Sequence, residues 1–237
     1  MFNKTAKFYD AVYSYKDYAA EARGVAELIR HRNAGASTLL DVACGTGKHL
    51  ELLANAGFRC QGSDLDPSML AIARDRIPNV PLHEADMVTL SLGRKFDAVI
   101  CMFSSIGYTQ TVERMRAAIT SMADHLDSGG ILIVEPWITP EAWLVGHPDL
   151  VVVDQPDYKL ARIGVSEPIE RGRLVLEYLL GTPSGVERLR EEHQLGWFTH
   201  EEYLQAMLDS GLELEHIPGR DDATIFRRGL YVGVAPG

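Results

Sequence analysis

The sequence predicts an α/β fold: a Rossmann-like, doubly wound and mostly parallel sheet that carries an antiparallel β insertion. Three observations predict it. Short β-rich runs alternate with helical patterns through the first half of the chain, the signature of crossover-connected parallel strands. One such run ends in the turn Asp41-Val42-Ala43-Cys44-Gly45-Thr46-Gly47 and passes into a helical pattern through His49, Leu50, Leu52 and Leu53. After Trp137 the pattern changes to successive strands separated by Asp, Pro and Gly turns.

In chain order, residues 1–33 are expected to form an N-terminal lid segment and helix. The helix, over 19–32, carries Val25, Leu28 and Ile29 on one side. The segment before it holds Phe8, Tyr9, Tyr13, Tyr15 and Tyr18, aromatics that either lie over a pocket or pack on the core. Parallel strands are expected over 38–43, 60–65, 81–86, 96–103 and 130–137. Between the second and third, Asp66 caps a helix with Pro67 at its first position. The helix over 111–126 aligns Met115, Ile119, Met122 and Leu126 on one stripe, and Asp127-Ser128-Gly129-Gly130 is expected to end it as a turn. The antiparallel insertion occupies 138–198, with strands near 151–153, 158–165, 173–180 and 186–197. Thr199 and Glu202 then form a capping box, Gly211 supplies a left-handed stop, and strands over 212–217 and 229–234 close the sheet.

At 237 residues the chain is read as one decorated domain over 1–237. No apolar run approaches the roughly 20 residues that span a bilayer, and Met1-Phe2-Asn3-Lys4-Thr5 lacks an apolar h-region, so a cytoplasmic protein without membrane contact is expected. Cys44, Cys60 and Cys101 lack the spacing of a zinc site, and no metal is indicated. A formal net charge of −10 repels polyanions and makes nucleic acid an unexpected partner. The assembly state is open, with a homodimer as the candidate.

The turn carries the chemistry. Gly45 and Gly47 let the main chain approach a ligand without a Cβ in the way. Asp64, at the end of the second strand, is placed to accept both ribose hydroxyls of a nucleoside. Leu50 stands where a dinucleotide fingerprint has its third glycine. The strand ends gather Asp41, Asp64, Asp66, Asp86 and Glu135, negative charge that opposes a pyrophosphate and favours a cationic sulfonium. Asp86 is placed to meet an adenine amino group while Met87 covers the ring. A nicotinamide oxidoreductase is therefore disfavoured.

These residues resemble the class I S-adenosylmethionine methyltransferases. The stretches Lys16-Asp17-Tyr18-Ala19-Ala20-Glu21-Ala22, Leu39 to Gly47, Cys101-Met102-Phe103-Ser104-Ser105-Ile106-Gly107 and Val134-Glu135-Pro136-Trp137 resemble, more closely, the N,N-dimethyltransferases of nucleotide-linked 3-amino sugars in desosamine and mycaminose biosynthesis. So do Trp197-Phe198-Thr199 and Arg228-Gly229-Leu230-Tyr231-Val232-Gly233. The resemblance implies S-adenosylmethionine as cofactor and S-adenosylhomocysteine as product. It implies cofactor contacts at Tyr9, Gly45, Gly47, Asp64, Asp86, Met87 and Met102, joined by Asp41 and Cys44 of the turn. Substrate would lie between the loop 103–108, which includes Ser104, and the insertion, with Tyr108 facing the amine. Tyr13, Trp137 and Tyr178 complete the aromatic part of that site, and Arg162 and Arg228, the latter beside Arg227, are expected to meet phosphates. The chain departs from that family in the charged segment 219–228, in Ile138-Thr139 after Trp137, and over 141–158.

The expected reaction is in-line attack of a neutral amine of a small molecule, such as a TDP-linked amino sugar, on the sulfonium methyl. Alignment is the protein's main contribution. An azaheterocycle of the toxoflavin type, stacked among Trp137, Trp143, Tyr178 and Trp197, or another amine metabolite is the alternative acceptor, and a non-catalytic cofactor-binding scaffold is the alternative of another class. The intact turn, Asp64 and Asp86 oppose a scaffold. Hydroxyl methylation is disfavoured because no His–acid pair is evident in the sequence.

Overall fold

The computed structural model describes residues 5–220 and 224–237; expectations on residues 1–4 and 221–223, the latter inside the charged segment 219–228, lie outside them. A 3-10 turn, Ala6–Phe8, and the short helix α1 (Tyr9–Val12) precede α2 (Tyr18–Arg32). Asp17 caps α2 by accepting the Ala20 amide at 2.9 Å, and Arg30, His31 and Arg32 face the negative end of its dipole. The chain then alternates β1 (Thr38–Val42), α3 (Lys48–Asn55), β2 (Arg59–Asp64), α4 (Pro67–Arg76), β3 (Leu82–Glu84), β4 (Phe96–Cys101), α5 (Val112–Ala123) and β5 (Leu126–Val134). The Asp66 side chain accepts the Ser68 amide at the start of α4, with Pro67 in its first turn, as expected.

The insertion follows as β6 (Pro148–Asp154), β7 (Lys159–Val165), β8 (Arg173–Thr182) and β9 (Gly185–Gln194), an antiparallel sheet in that order. The chain returns through α6 (His200–Asp209), opened by the Thr199–Glu202 capping box, to β10 (Glu213–Pro218) and β11 (Gly229–Val234). The main sheet has the order β10-β11-β5-β4-β1-β2-β3, parallel from β5 to β3, with β11 antiparallel to both of its neighbours.

Both faces of this sheet are covered. Met115, Ile119 and Met122 of α5 and Tyr203 and Met207 of α6 pack with Leu40, Val42 and Val99 on one side. Val25 and Ile29 of α2, Leu50 and Leu53 of α3 and Leu70 of α4 pack with Leu39, Ile100 and Ile133 on the other. Each fully buried Leu or Ile side chain is worth about 1.5–3 kcal/mol. The aromatic N-terminal segment divides its side chains: Phe8 and Val12 join Val153, Leu160, Leu176 and Leu180 against the inner face of the insertion, leaving Tyr9 and Tyr13 for the cleft.

One local expectation is corrected. Residues 127–130 do not form a turn between helix and strand but lie inside β5, where the pairing with β4 jumps from Phe96↔Leu126 to Ala98↔Ile131. Gly129 takes φ +71° there, so the Ser-Gly-Gly run serves a bulge. The strand ends expected at 86, 103 and 137 stop short, at Glu84, Cys101 and Val134, because the chain turns into cleft-lining loops.

Candidate active site

The order of the main sheet reverses between β1 and β4, and the carboxyl ends of these strands open a cleft there. Beyond β1 the chain turns through Ala43 (φ +61°), Gly45 (φ +56°) and Gly47 (φ +79°). A Cβ on Gly45 would meet nothing within 4 Å, so this backbone faces open space. A Cβ on Gly47 would press on Ile77 Cδ1 at 3.1 Å and Ala73 Cβ at 3.2 Å, so this glycine serves the contact between turn and α4. Asp64 holds the turn in shape. Its Oδ2 accepts the Gly45 amide and its Oδ1 the Asp66 amide, both at 2.8 Å.

The cleft deepens into a cavity of about 500 Å³, within the usual range for small-molecule sites. Toward β1–β3 it is lined by Gly45, Asp64, Leu65, Asp66, Asp86 and Met87, and toward the insertion by Ser104, Tyr108, Trp137, Trp143, Arg162, His193 and Arg228. Tyr9 and Tyr13 lie between these ends, their ring centroids 4.6 Å apart, with Tyr13 edge-on to Phe103 at 4.9 Å. Phe103, Ser104 and Gln110 also have positive φ, so strained backbone concentrates around the cavity.

The floor is acidic. Burial holds Asp64 above the ordinary carboxylate range despite its backbone hydrogen bonds. Asp41, behind it, is pushed well up by burial and then by Asp64. Asp86 is balanced: Oδ2 pairs with Arg114 at 2.9 Å and Oδ1 accepts the Val88 amide. A cationic group fits this floor better than a pyrophosphate, and the open backbone at Gly45 beside Asp64 fits a ribose.

At the other end Arg228 Nη1 donates to Ser104 Oγ at 2.8 Å and its guanidinium lies 4.8 Å over Trp137. Arg162 Nη2 donates to Asp149 at 2.6 Å, and its guanidinium lies 5.3 Å from the Tyr13 ring. The buried Nε of Arg162 has no hydrogen-bond partner among the described residues. Two guanidinium groups therefore face one end of a cavity whose other end is carboxylate-rich.

Of the residues expected at the site, Tyr9, Gly45, Asp64, Asp86, Met87, Tyr13, Ser104, Tyr108, Trp137, Arg162 and Arg228 line the cavity. Asp41, Cys44, Gly47 and Met102 do not; Asp41, Cys44 and Met102 are buried behind its wall. Tyr178 does not reach it either, because its hydroxyl turns away to Glu191 Oε2 at 3.1 Å. Sequence reading missed Arg114, which neutralises Asp86, and it missed a His–acid pair. His193 and Glu191 are both buried on the inner face of β9, with Nε2 3.5 Å from Oε2, and Nδ1 of His193 is 3.1 Å from the Tyr108 hydroxyl. The available signal was alternation: Leu189, Glu191 and His193 share the face that a half-buried strand turns inward. Among the described residues no group of three or more His, Cys, Asp or Glu is placed to hold a metal ion, and no helix is long and apolar enough to cross a membrane.

Residues 39–130 match the methyltransferase domain family. Across 235 residues the chain is 41% identical to the dTDP-3-amino-3,4,6-trideoxy-α-D-glucopyranose N,N-dimethyltransferase of Streptomyces venezuelae, covering 97% of each protein. It belongs to the class I S-adenosylmethionine-dependent methyltransferases, in the amino-sugar N,N-dimethyltransferase group. The dTDP-3-amino-3,6-dideoxy-α-D-glucopyranose N,N-dimethyltransferase of Streptomyces fradiae is 39% identical over 97% of this chain and 90% of its own. Among solved structures, S-adenosylmethionine-bound CalS10, an amino pentose methyltransferase from Micromonospora echinaspora, superimposes with a TM-score of 0.85 at 38% identity over 95% of both chains. In this methyltransferase the domain match ends inside β5, so the glycine turn, Asp64 and Asp86 fall within it and the whole insertion falls outside.

Proposed function

We propose that this methyltransferase transfers methyl groups from S-adenosylmethionine to the amine of a nucleotide-linked amino sugar. The observation that carries the reading is the polarity of one cavity, with Asp64, Asp66 and Asp86 toward the glycine turn and Arg162 and Arg228 toward the insertion. Sulfonium and diphosphate have the matching charges. An uncharged azaheterocycle has no use for two arginines, which favours the sugar over that acceptor.

Bound S-adenosylmethionine would supply an electrophilic methyl on a sulfonium. Gly45 leaves its main chain open to the ligand, Asp64 accepts from the ribose hydroxyls, Met87 covers the adenine, and Tyr9 closes the cleft over the cofactor. Tyr108 and Tyr13 orient the amine, Ser104 and Trp137 bound the sugar, and Arg228 and Arg162 hold the phosphates. Orientation of the lone pair toward the methyl lowers the barrier by several kcal/mol, since near-attack alignment is worth up to about 7–11 kcal/mol. The reaction belongs in the cytoplasm, where both metabolites are made.

A homodimer through the outer face of the insertion fits the same reading. Leu150, Val152, Ile163, Val165 and Leu179 share that face and are 44–67% exposed, an apolar patch that a lone domain seldom leaves bare. Light scattering on the unaltered protein and on Val152→Lys tests it: a dimer that the variant breaks supports this face, and a monomer in both contradicts it.

Titration calorimetry of dTDP into the protein saturated with S-adenosylhomocysteine tests the substrate assignment. Binding that Arg228→Ala abolishes supports it, and absence of binding to the unaltered protein contradicts it.

A further inference from the structure

The cavity holds one buried constellation that cofactor binding and phosphate binding leave unused. Tyr108 lies in the loop after β4 and projects into the cavity, and its hydroxyl meets Nδ1 of His193 at 3.1 Å. On the far side of the imidazole, Nε2 faces Glu191 Oε2 at 3.5 Å, in ion-pair range. Glu191 is itself held, since Tyr178 donates to Oε2 at 3.1 Å and Thr5 donates to Oε1. His193 and Glu191 are 2% and 7% exposed, and His193 meets the cavity at its wall, beside Tyr108.

A carboxylate, an imidazole and a hydroxyl in line are the parts of a proton relay. With the proton on Nε2, the nitrogen that faces the Glu191 carboxylate, Nδ1 is left as the acceptor for Tyr108. Resting on the amino-sugar reading, we propose that Tyr108, His193 and Glu191 form a relay that removes the proton from the substrate ammonium, with His193 as the proton store and Glu191 as its positioning residue. A sugar amine with a pKa of about 8 reaches the site mostly as ammonium, which has no lone pair to attack with. The ammonium gives its proton to the Tyr108 oxygen as the Tyr108 hydroxyl proton moves to Nδ1. The freed lone pair forms the N–C bond while the C–S bond of the sulfonium breaks and its electron pair stays on sulfur. Each transfer leaves a methylated ammonium, so a second methylation calls on the relay again once His193 has lost its proton to solvent.

Charged and titratable groups face the relay from several elements. Glu191 lies on the strand of His193, Tyr178 on β8 and Asp64 at the end of β2, and Tyr13 and Tyr108 come from the N-terminal segment and the loop. Arg162 on β7 is the opposing cation, and it is balanced by Asp149. Burial raises Tyr108 itself well above an ordinary phenol, which makes it a conduit rather than a store.

The test is the pH dependence of kcat/KM for dTDP-3-amino-3,4,6-trideoxyglucose and for its singly methylated product, with the unaltered enzyme and with His193→Gln. The relay predicts that the unaltered enzyme keeps its rate at least about one pH unit below the amine pKa, with an acid limb at the same pH for both amines. In His193→Gln the limb moves up to the amine pKa and follows each amine. The variant then loses about 10- to 100-fold at pH 7 and recovers most of it at pH 9, with S-adenosylmethionine affinity unchanged. Limbs of the unaltered enzyme that follow the two amine pKa values overturn the relay, even if the variant does not fold, and so do parallel profiles of enzyme and variant. No methylation of either sugar by the unaltered enzyme overturns the amino-sugar reading and the relay together; turnover with the wrong profile overturns the relay alone.

Discussion

The amide of Gly45 donates to Oδ2 of Asp64 at 2.8 Å, so the end of β2 fixes the turn that follows β1. One carboxylate both shapes the cradle and faces the cavity. Asp64→Asn removes the charge and, with a single amide oxygen, keeps an acceptor for only one of the Gly45 and Asp66 amides. Since a hydrogen bond to a charged group is worth about 1.5–3 kcal/mol, S-adenosylmethionine binding should weaken about 10- to 100-fold, and the amide left facing the Asn NH2 should lower Tm. Calorimetry and thermal melting check both parts. Unchanged affinity would remove Asp64 from the cofactor site.

The raised titration of Asp64 gives a pH dependence with a definite sign. Burial lifts its folded-state value above the ordinary carboxylate range, and a bound sulfonium would pull it back down. Cofactor binding therefore releases protons between the ordinary range and the raised value, and affinity for S-adenosylmethionine falls as pH drops through that window. S-adenosylhomocysteine, without the sulfonium charge, should show a shallower fall. Stability of the ligand-free protein runs the other way: the contribution of Asp64 is fully present below the ordinary range and is lost as pH rises through the raised value. Titrations of both ligands across mildly acidic pH measure this, and equal slopes contradict it.

Asp10 joins the N-terminal segment to the glycine turn, accepting from Thr46 Oγ1 at 2.7 Å and pairing with Arg76 at the end of α4. Tyr9, its neighbour, lines the cavity. Asp10→Ala should therefore speed dissociation of S-adenosylhomocysteine about 3- to 10-fold with little effect on association, the usual pattern when a contact closing a site is lost. Stopped-flow release measures it, and an unchanged off-rate means the segment does not gate exit.

Gly62 sits on β2, between β1 and the edge strand β3, beneath the turn. A Cβ there would come within 2.5 Å of Leu50 Cδ1, 2.8 Å of Leu82 Cδ2 and 2.9 Å of Cys44 Sγ. Gly62→Ala should cost about 1–3 kcal/mol of stability by overpacking. Denaturant unfolding reports it, and a neutral result would show that these side chains rearrange freely.

The parallel half was legible because its signals are local. Strand periodicity, the Asp66–Pro67 start of α4 and the Thr199–Glu202 box each lie within a few residues, and the structure has all of them. Gly45, Asp64 and Met87 were readable because the turn and the strand ends fix which residues face the cleft. Contacts between distant segments were hidden. Arg114 reaches back to Asp86, and the Tyr108–His193–Glu191 line joins a loop to a strand 85 residues later. Tyr178 was misplaced for a similar reason: alternation along β8 gives its face, but only packing shows that Glu191 takes its hydroxyl. In β5 the Ser-Gly-Gly run reads as a turn because a bulge and a turn demand the same backbone freedom.

Methyl transfer to an amine on a nucleotide sugar is tested most directly by incubating the protein with S-adenosylmethionine and a panel of dTDP-amino sugars and azaheterocycles, counting methyl additions by mass. Two additions on one sugar amine is the predicted result. No addition to any amino sugar, with a methylated heterocycle in its place, would contradict the assignment.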